Sequence, residues 1–472
     1  MKGRTISDVV DELGIGLAQV QLIVLAGGLS WLDGTEMLLF GTLPTSVAEQ
    51  MQVGPYRRAM LLSGALGGKM LGSFMSFFSD RYFARRLPIL LSYACTITAA
   101  VASVCCGYYS CIVVCWAASA FGIGFGMPIW SSLASEASPS TARLQVAACS
   151  YSFFSFGSMC VLLVQYSYDG HLDFGVGWKD VLLWAQLPCV MLFAAALTIG
   201  FVDSAHALAA QGRHHEAHVA LSAMRQLNRK PEVSVEFEAS APREQLSLFE
   251  GSCALFSRHR CCTTIALCVL TATLNFTSYG TLYSEGIVLP QLKLGVPTSV
   301  VLIMNPISDF CGYVCGIVLS KVASRRAMLL CYQGVSILYY SLLILGLARL
   351  GESDSDMVGS ILVLAVTMTF KFVMAVGWLT VYTCATEVYP TLCRSFGTGF
   401  VIGCGRLGSI AAPLVFEHMH VSTESHWCFF CLVICLMIAN MLLVVFCLPE
   451  TKDIQLEDFL GELRPLREKC RT

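Results

Sequence analysis

Charge is scarce in this sequence. Only 13% of its 472 residues are Asp, Glu, Lys or Arg, where a soluble domain carries about 25%. Since 56% are hydrophobic, a water-soluble core is implausible and the bilayer is the expected solvent and partner. Net charge is −2, and neither a basic tail nor an aromatic-basic alternation is present, so nucleic acid is not an expected partner. A nucleophile–base constellation and a phosphate-binding loop are also missing, so neither an enzyme nor a cofactor is expected. Met1 to Ala18 is polar and mixed in charge, without a signal-peptide pattern, which predicts a cytosolic amino terminus.

Cysteine is plentiful, with 23 residues, but most lie in apolar runs (Cys105, Cys106, Cys111, Cys115, Cys428, Cys431, Cys435). There Cys is expected to pack as a small hydrophobe. No CxxC pair sits in a polar loop with further ligands at zinc spacing, so no metal is expected. His418-Met-His420 with His426 reads as an ordinary outer loop.

Apolar stretches long enough to cross about 30 Å of hydrocarbon recur at 18–46, 59–79, 87–107, 111–134, 146–168 and 181–202. They resume at 262–290, 297–320, 327–349, 357–385, 395–417 and 426–448. This predicts an all-α membrane protein with twelve transmembrane helices in two six-helix bundles. The segments are 1–17 (cytosolic), 18–202 (first bundle), 203–260 (cytosolic loop), 261–448 (second bundle) and 449–472 (cytosolic tail). With both termini inside, 22 of the 30 Lys and Arg face the cytosol and 5 the outside, and Lys69, Lys371 and Arg406 lie within the membrane. That imbalance sets the orientation. Within the loop, His206 to Leu227 has apolar residues at helical spacing, predicting short amphipathic helices; Pro231 to Pro242 reads as a looser linker.

Three motifs do not carry the chemistry their patterns suggest, and two of them read as packing. Gly403-Cys-Gly405-Arg-Leu-Gly408 matches a nucleotide-binding pattern, but no strand precedes it, so close helix approach is expected. Gly64, Gly67, Gly68 and Gly72 suggest a second small-residue face. Asn275-Phe-Thr277 fits a glycosylation sequon at membrane depth, where modification is not expected.

The intramembrane charges carry the chemistry. A guanidinium such as Arg406 costs about 2.5–3.5 kcal/mol on insertion scales, so it should face a wet cavity and meet an acid or an anionic ligand. Asp33 and Glu36, three apart, share a helix face. Low dielectric disfavours charging both, which is the physics of a proton site. The alternatives are a static pair with Lys69 and a purely gating role. For Arg406 the alternative is a structural pair with Asp309, Glu285 or Glu387, and Lys371 either adds positive potential or neutralises one of those acids.

Several motifs, in order, resemble a known family. They are Thr5-Ile-Ser-Asp-Val-Val-Asp-Glu-Leu-Gly14, Asp33-Gly-Thr-Glu36 through Pro44, Gly122-Ile-Gly-Phe-Gly-Met-Pro128, and Glu136 with Arg143. Ser278-Tyr-Gly280, Ser308-Asp309-Phe, Glu387-Val-Tyr-Pro-Thr-x-x-Arg394 and Leu448-Pro-Glu-Thr-Lys452 follow. The chain is similar to major facilitator superfamily transporters, in the branch of synaptic-vesicle-protein-related, niacin-type and organic anion and cation carriers.

That resemblance implies a monomeric secondary transporter of a small organic ion, working by alternating access in the plasma membrane or a vesicle membrane. Arg406 aligns with the basic position anion carriers use, which implies an organic, aromatic carboxylate-like anion moved by proton symport through Asp33 and Glu36. Tyr279, Tyr283, Trp378, Tyr382 and Trp130 fall on helices that line the cavity in that fold. Asp80, Arg81, Glu136, Arg143, Glu387 and Arg394 fall at charge-pair or gating positions. An organic cation or zwitterion carrier, with Asp309, Glu285 or Glu36 as counter-charge, stays open, as does a non-transporting receptor or trafficking protein on the same fold. Two departures, Asp80-Arg-Tyr-Phe-Ala-Arg-Arg86 without the family's Gly and Trp116 in place of an Arg, lead us to expect a weakened cytosolic latch.

Overall fold

The computed structural model describes residues 4–139, 142–168, 177–237, 255–257, 260–289, 292, 298–352, 357–388, 394–423 and 427–448. Side chains at 77–82, 143–145, 147–148, 210, 298–302, 320–321, 351–352, 386–387 and 394–396 lie outside the described set. Regular structure among the described residues is helical. The first half holds α1 (Ile6–Leu13), α2 (Leu17–Gln21), a π turn (Leu22–Ala26), α3 (Leu29–Thr42), α4 (Pro44–Gln50) and α5 (Pro55–Tyr82). It continues with α6 (Arg86–Val104), α7 (Tyr109–Glu136), α8 (Arg143–Tyr168) and α9 (Trp178–Thr198). After α10 (Ala205–Ala210) and α11 (His214–Leu227) come α12 (Cys261–Val288), α13 (Thr298–Val322), α14 (Arg325–Glu352), α15 (Met357–Glu387), α16 (Arg394–Thr423) and α17 (Cys428–Cys447).

Among the described residues, ten segments are long and apolar enough to cross a membrane, with Leu17–Thr42 counted as one. The other two expected spans coincide with long helices, α5 of 28 residues and α13 of 25. The described residues fall into two compact units. One comprises Met1–Leu39, Gly67–Val161 and Lys179–Glu244, the other Phe40–Leu66, Leu162–Trp178 and Gln245–Thr472. Their bounds fall within α3, α5, α8 and α9.

In the first unit, missing side chains let the helices touch through their backbones. A Cβ at Gly68 would lie 1.9 Å from the Ala117 carbonyl oxygen, and one at Gly72 would lie 2.1 Å from that of Phe121. Gly124 meets the Lys69 carbonyl in the same way, which seats α5 on α7. Gly67 has open space around it, so the expected small-residue face is narrower than its glycine count. The π turn in the first span widens the backbone spiral. The Tyr93 hydroxyl donates to the Leu25 carbonyl there, at 3.0 Å. Trp130 is buried against Gly27 beside it.

The amphipathic helices expected in the central loop are α10 and α11. α11 buries Ala217, Ala220, Leu221 and Met224 in one cluster with Ile6, Val9, Val10 and Leu13 of α1. Thr5 caps α1 in a capping box with Asp8. Asn228, just past α11, accepts from the Ala18 amide at 3.0 Å. Its own amide donates to the Leu13 and Gly14 carbonyls and to Gln19 Oε1. One side chain thus pins the α1–α2 turn. Burial holds the Asp203 carboxyl above its ordinary value, although the Ser204, Arg85 and Arg86 amides donate to it.

Two expectations need correction. Cys106 and Cys111, read as packing residues, form a disulfide joining the end of α6 to the start of α7, with Cys115 Sγ 3.7 Å from Cys106 Sγ. Apolar neighbours hid the pairing, because the bridge spans a short turn between two apolar helices. Those three sulfurs lie close enough to hold a metal, but two are spent in the disulfide and only thiolates are good ligands. Second, α16 runs to Thr423, so His418 and His420 stand on a helix rather than in an outer loop. His420 stacks on Phe416 and His418 faces Tyr56; His426 lies outside the described residues.

Candidate functional site

In the second unit α16 crosses α12 at contact distance. A Cβ at Gly408 would lie 2.0 Å from the Ala272 carbonyl oxygen, and one at Gly405 would lie 3.0 Å from Asn275 Nδ2. The glycine pattern is therefore a helix crossing. Arg406 projects from the middle of that crossing, buried, and its Nη1 donates to the Tyr279 hydroxyl at 3.0 Å and reaches Asn275 Oδ1 at 3.4 Å. Asn275 is held in turn by donating to the Thr271 carbonyl at 2.9 Å. The sequence shows Asn275 only as a disfavoured sequon; its position one turn before Tyr279 on α12 was the available signal.

Aromatic rings continue from that point. Trp378 meets Tyr279 edge to face at 6.3 Å and Tyr382 at 5.2 Å, so three of the expected rings form one series beside Arg406. An offset series with polar tips suits a planar ligand with one charged end. Tyr283, expected in that group, instead donates to Glu417 Oε1 at 2.6 Å. Trp130 belongs to the first unit's core and is not part of the series.

The first unit holds the other charges. Lys69 of α5 makes an ion pair with Asp33 of α3, both buried, and its ammonium also lies 3.5 Å from Met37 Sδ. Glu36, one turn on and only 1% exposed, takes the Ser119 hydroxyl of α7 on Oε1. Ser119 Oγ also lies 2.8 Å from the Thr96 carbonyl oxygen, so its single proton has two acceptors to choose between, and Thr96 donates to the Ser119 carbonyl at 3.1 Å. Glu36 Oε2 makes no hydrogen bond among the described residues. The two carboxyls expected to act together therefore differ: one has a cation, the other a hydroxyl.

Glu285 is buried on α12, with Asn305 of α13 donating to Oε2 at 3.4 Å and Oε1 without a hydrogen bond among the described residues. Lys371 of α15 is the cation whose field reaches it. Asp309 is buried on α13. Where α6 begins and α7 ends, Arg85 engages Glu136 through both Nη2 (2.9 Å) and Nε (3.3 Å), and Ser204 adds a hydroxyl. Arg85 thus holds the acid that ends α7 despite the altered motif around it. The side chains of Asp80, Arg81, Arg143, Glu387 and Arg394 lie outside the described residues.

One pair was not anticipated. Arg58 of α5 donates to Glu417 Oε1 through Nε at 2.9 Å and Nη2 at 2.6 Å. The sequence placed Arg58 outside the membrane and ended the eleventh span at Glu417, which hid both.

A family model described as sugar (and other) transporter matches residues 29–460. The chain belongs to that family. It is an integral, multi-pass membrane transporter and not an enzyme. The transporter is 25% identical over 438 residues to the Synaptic vesicle 2-related protein of Xenopus laevis, covering 88% of this chain and 75% of the relative. It is 24% identical over 463 residues to the Niacin transporter NiaP of Acinetobacter baylyi, covering 95% and 98%. To Solute carrier family 22 member 7 of Mus musculus it is 27% identical over 385 residues, covering 78% and 64%. Among solved structures, the partially occluded inward open conformation of the xylose transporter XylE from E. coli matches with TM-score 0.71 and 13% identity, covering 93% and 99%. The transporter therefore has the all-helical major facilitator fold.

Proposed function

We propose that the transporter moves a small organic anion, with an aromatic carboxylate as the simplest case, by proton-linked symport. The observation that carries this is buried Arg406, within hydrogen-bond reach of Asn275 and Tyr279, at the head of the Tyr279–Trp378–Tyr382 series. A guanidinium fork in low dielectric binds a carboxylate through paired, charge-assisted hydrogen bonds, and the rings receive the planar remainder. Asp33 and Glu36 take the proton: Lys69 is released from Asp33 when that carboxyl is protonated, and Glu36 accepts a hydrogen bond from Ser119 when ionised and can donate one when protonated. Proton and substrate must each favour one conformation over another, or transport is not coupled. Twelve spans in two bundles, with segments at 18–202 and 261–448, both termini cytosolic and a monomer in the plasma or a vesicle membrane, complete the reading. The niacin transporter among the relatives supports the choice of substrate class.

Uptake of labelled nicotinate into proteoliposomes, with and without an inward proton gradient, tests it. The expected result is gradient-stimulated uptake that Arg406→Gln weakens by roughly 10- to 150-fold for each charge-assisted hydrogen bond lost. Asp33→Asn should leave uptake insensitive to the gradient. Normal uptake in Arg406→Gln would overturn the anion reading. Glu285, whose Oε1 makes no hydrogen bond among the described residues, favours a second reading, an organic cation with Glu285 as counter-charge. Uptake of labelled tetraethylammonium abolished by Glu285→Gln would establish that reading instead.

A further inference from the structure

We propose that Arg58, Glu417 and Tyr283 form a state-selective latch that holds the first turns of α5 against the last turns of α16 and sets how often the transporter opens at that end. The Glu417 side chain is fully buried, and its Oε1 collects three donors: Arg58 Nε, Arg58 Nη2 and the Tyr283 hydroxyl. Oε2 makes no hydrogen bond among the described residues. A buried carboxylate is tolerated only while its cation stays in place, so this arrangement exists only with α5 docked. If the ends part, water reaches both charges and neither needs the other. Removing either partner therefore penalises the docked state alone, which is the condition for shifting a conformational equilibrium.

The contact is a seam rather than a single pair. Tyr56 OH lies 3.3 Å from His418 Nδ1, and Ser63 Oγ donates to the Ile410 carbonyl at 2.8 Å. Positions ascending on α5 meet positions descending on α16, so the two helices run antiparallel along it. Beside them a Cβ at Gly286 of α12 would lie 3.1 Å from the Gly41 carbonyl oxygen, which brings the end of α3 onto the same helix.

The latch shares its helices with the candidate substrate site. Tyr283 stands one turn beyond Tyr279 on α12, and Glu417 stands about three turns beyond Arg406 on α16. A ligand that draws Tyr279 and Arg406 together alters the spacing of α12 and α16, and with it the Tyr283–Glu417 bond. The latch is in this way a positioning device for the transport cycle. That it closes the outer side rests on the orientation in the proposed function; that it closes at all does not.

Hydrogen exchange of the full-length protein in lipid nanodiscs, with no substrate added, tests the latch by itself. Arg58→Ala and Glu417→Gln should each raise amide exchange at 44–63 and 410–423 by about tenfold or more, as local opening becomes more frequent, while α6 stays unchanged. The charge-swapped double variant Arg58→Glu/Glu417→Arg should return exchange toward wild type. Unchanged exchange in the single variants, failure of the swap to restore it, or a rise spread equally over α6 would each overturn the assignment. Loss of nicotinate uptake bears only on the proposed function, so the two failures are told apart.

Discussion

Adding one methyl group at Gly408 tests whether the α12–α16 crossing positions Arg406. The new Cβ would lie 2.0 Å from the Ala272 carbonyl oxygen and 2.8 Å from its carbon. Ordinary contact begins at 3.4 Å, so the helices must separate by about 1.4 Å at that point. The obstructing atoms are backbone and cannot rotate away, which puts the cost at or above the roughly 1–3 kcal/mol of overpacking. Arg406 is two residues away, and its 3.0 Å bond to Tyr279 does not survive a shift of that size. Misplacement by about 1 Å costs on the order of 100-fold in processes that depend on such geometry. Gly399→Ala, on the same helix, is the control, because a Cβ there meets nothing within 4 Å. Its helix propensity should make it neutral or stabilising by up to about 1 kcal/mol. Thermal unfolding of the purified protein and initial uptake rates should separate the two variants in opposite directions. If Gly408→Ala melts and transports like Gly399→Ala, the crossing does not hold the site.

Two further outcomes follow from buried charges. Lys69→Ala leaves Asp33 without its cation, so unfolding should become easier by about 3–5 kcal/mol, while Lys69→Met with Asp33→Asn recovers most of that in the same denaturation assay. Asp203 has its folded-state value raised by burial, so its contribution to stability is fully present below the ordinary aspartate value and is lost as pH rises through the higher, folded one. Asp203→Asn keeps an oxygen for the Ser204, Arg85 and Arg86 amides and removes the buried charge. Melting curves of this variant should match wild type at acid pH and exceed it at neutral pH; a variant less stable at neutral pH would refute the argument.

The helices were legible because a span must be apolar over a fixed length, and the order of motifs pointed to the family. The Asp33–Lys69 pair was legible for a related reason, since an intramembrane ammonium needs an acid within reach. Arg406 was visible as a lone charge in an apolar segment. Its holders were not: Asn275 looks like any other polar residue until the fold turns α12 toward α16. Glu417 and Arg58 escaped because span boundaries were drawn where hydropathy fell, and a helix that continues past that point carries its polar residues inside. The Cys106–Cys111 bridge escaped because apolar flanks hide thiol pairing. Backbone approach at Gly68 and Gly72 was anticipated, whereas the open space at Gly67 depends on which way the helix faces.

The Asn228 clamp has a consequence for biosynthesis. Its partner Ala18 precedes it by 210 residues. At about 5–20 residues per second, the ribosome needs roughly 10–40 s to deliver the anchor after the segment it fastens. During that interval the apolar side of α1, with Ile6, Val9, Val10 and Leu13, lacks the α11 residues Ala217, Ala220, Leu221 and Met224 that share its cluster. The nascent amino terminus must wait on the membrane interface or a chaperone, so a change at Asn228 should first be felt as lower yield of assembled protein rather than as slower transport.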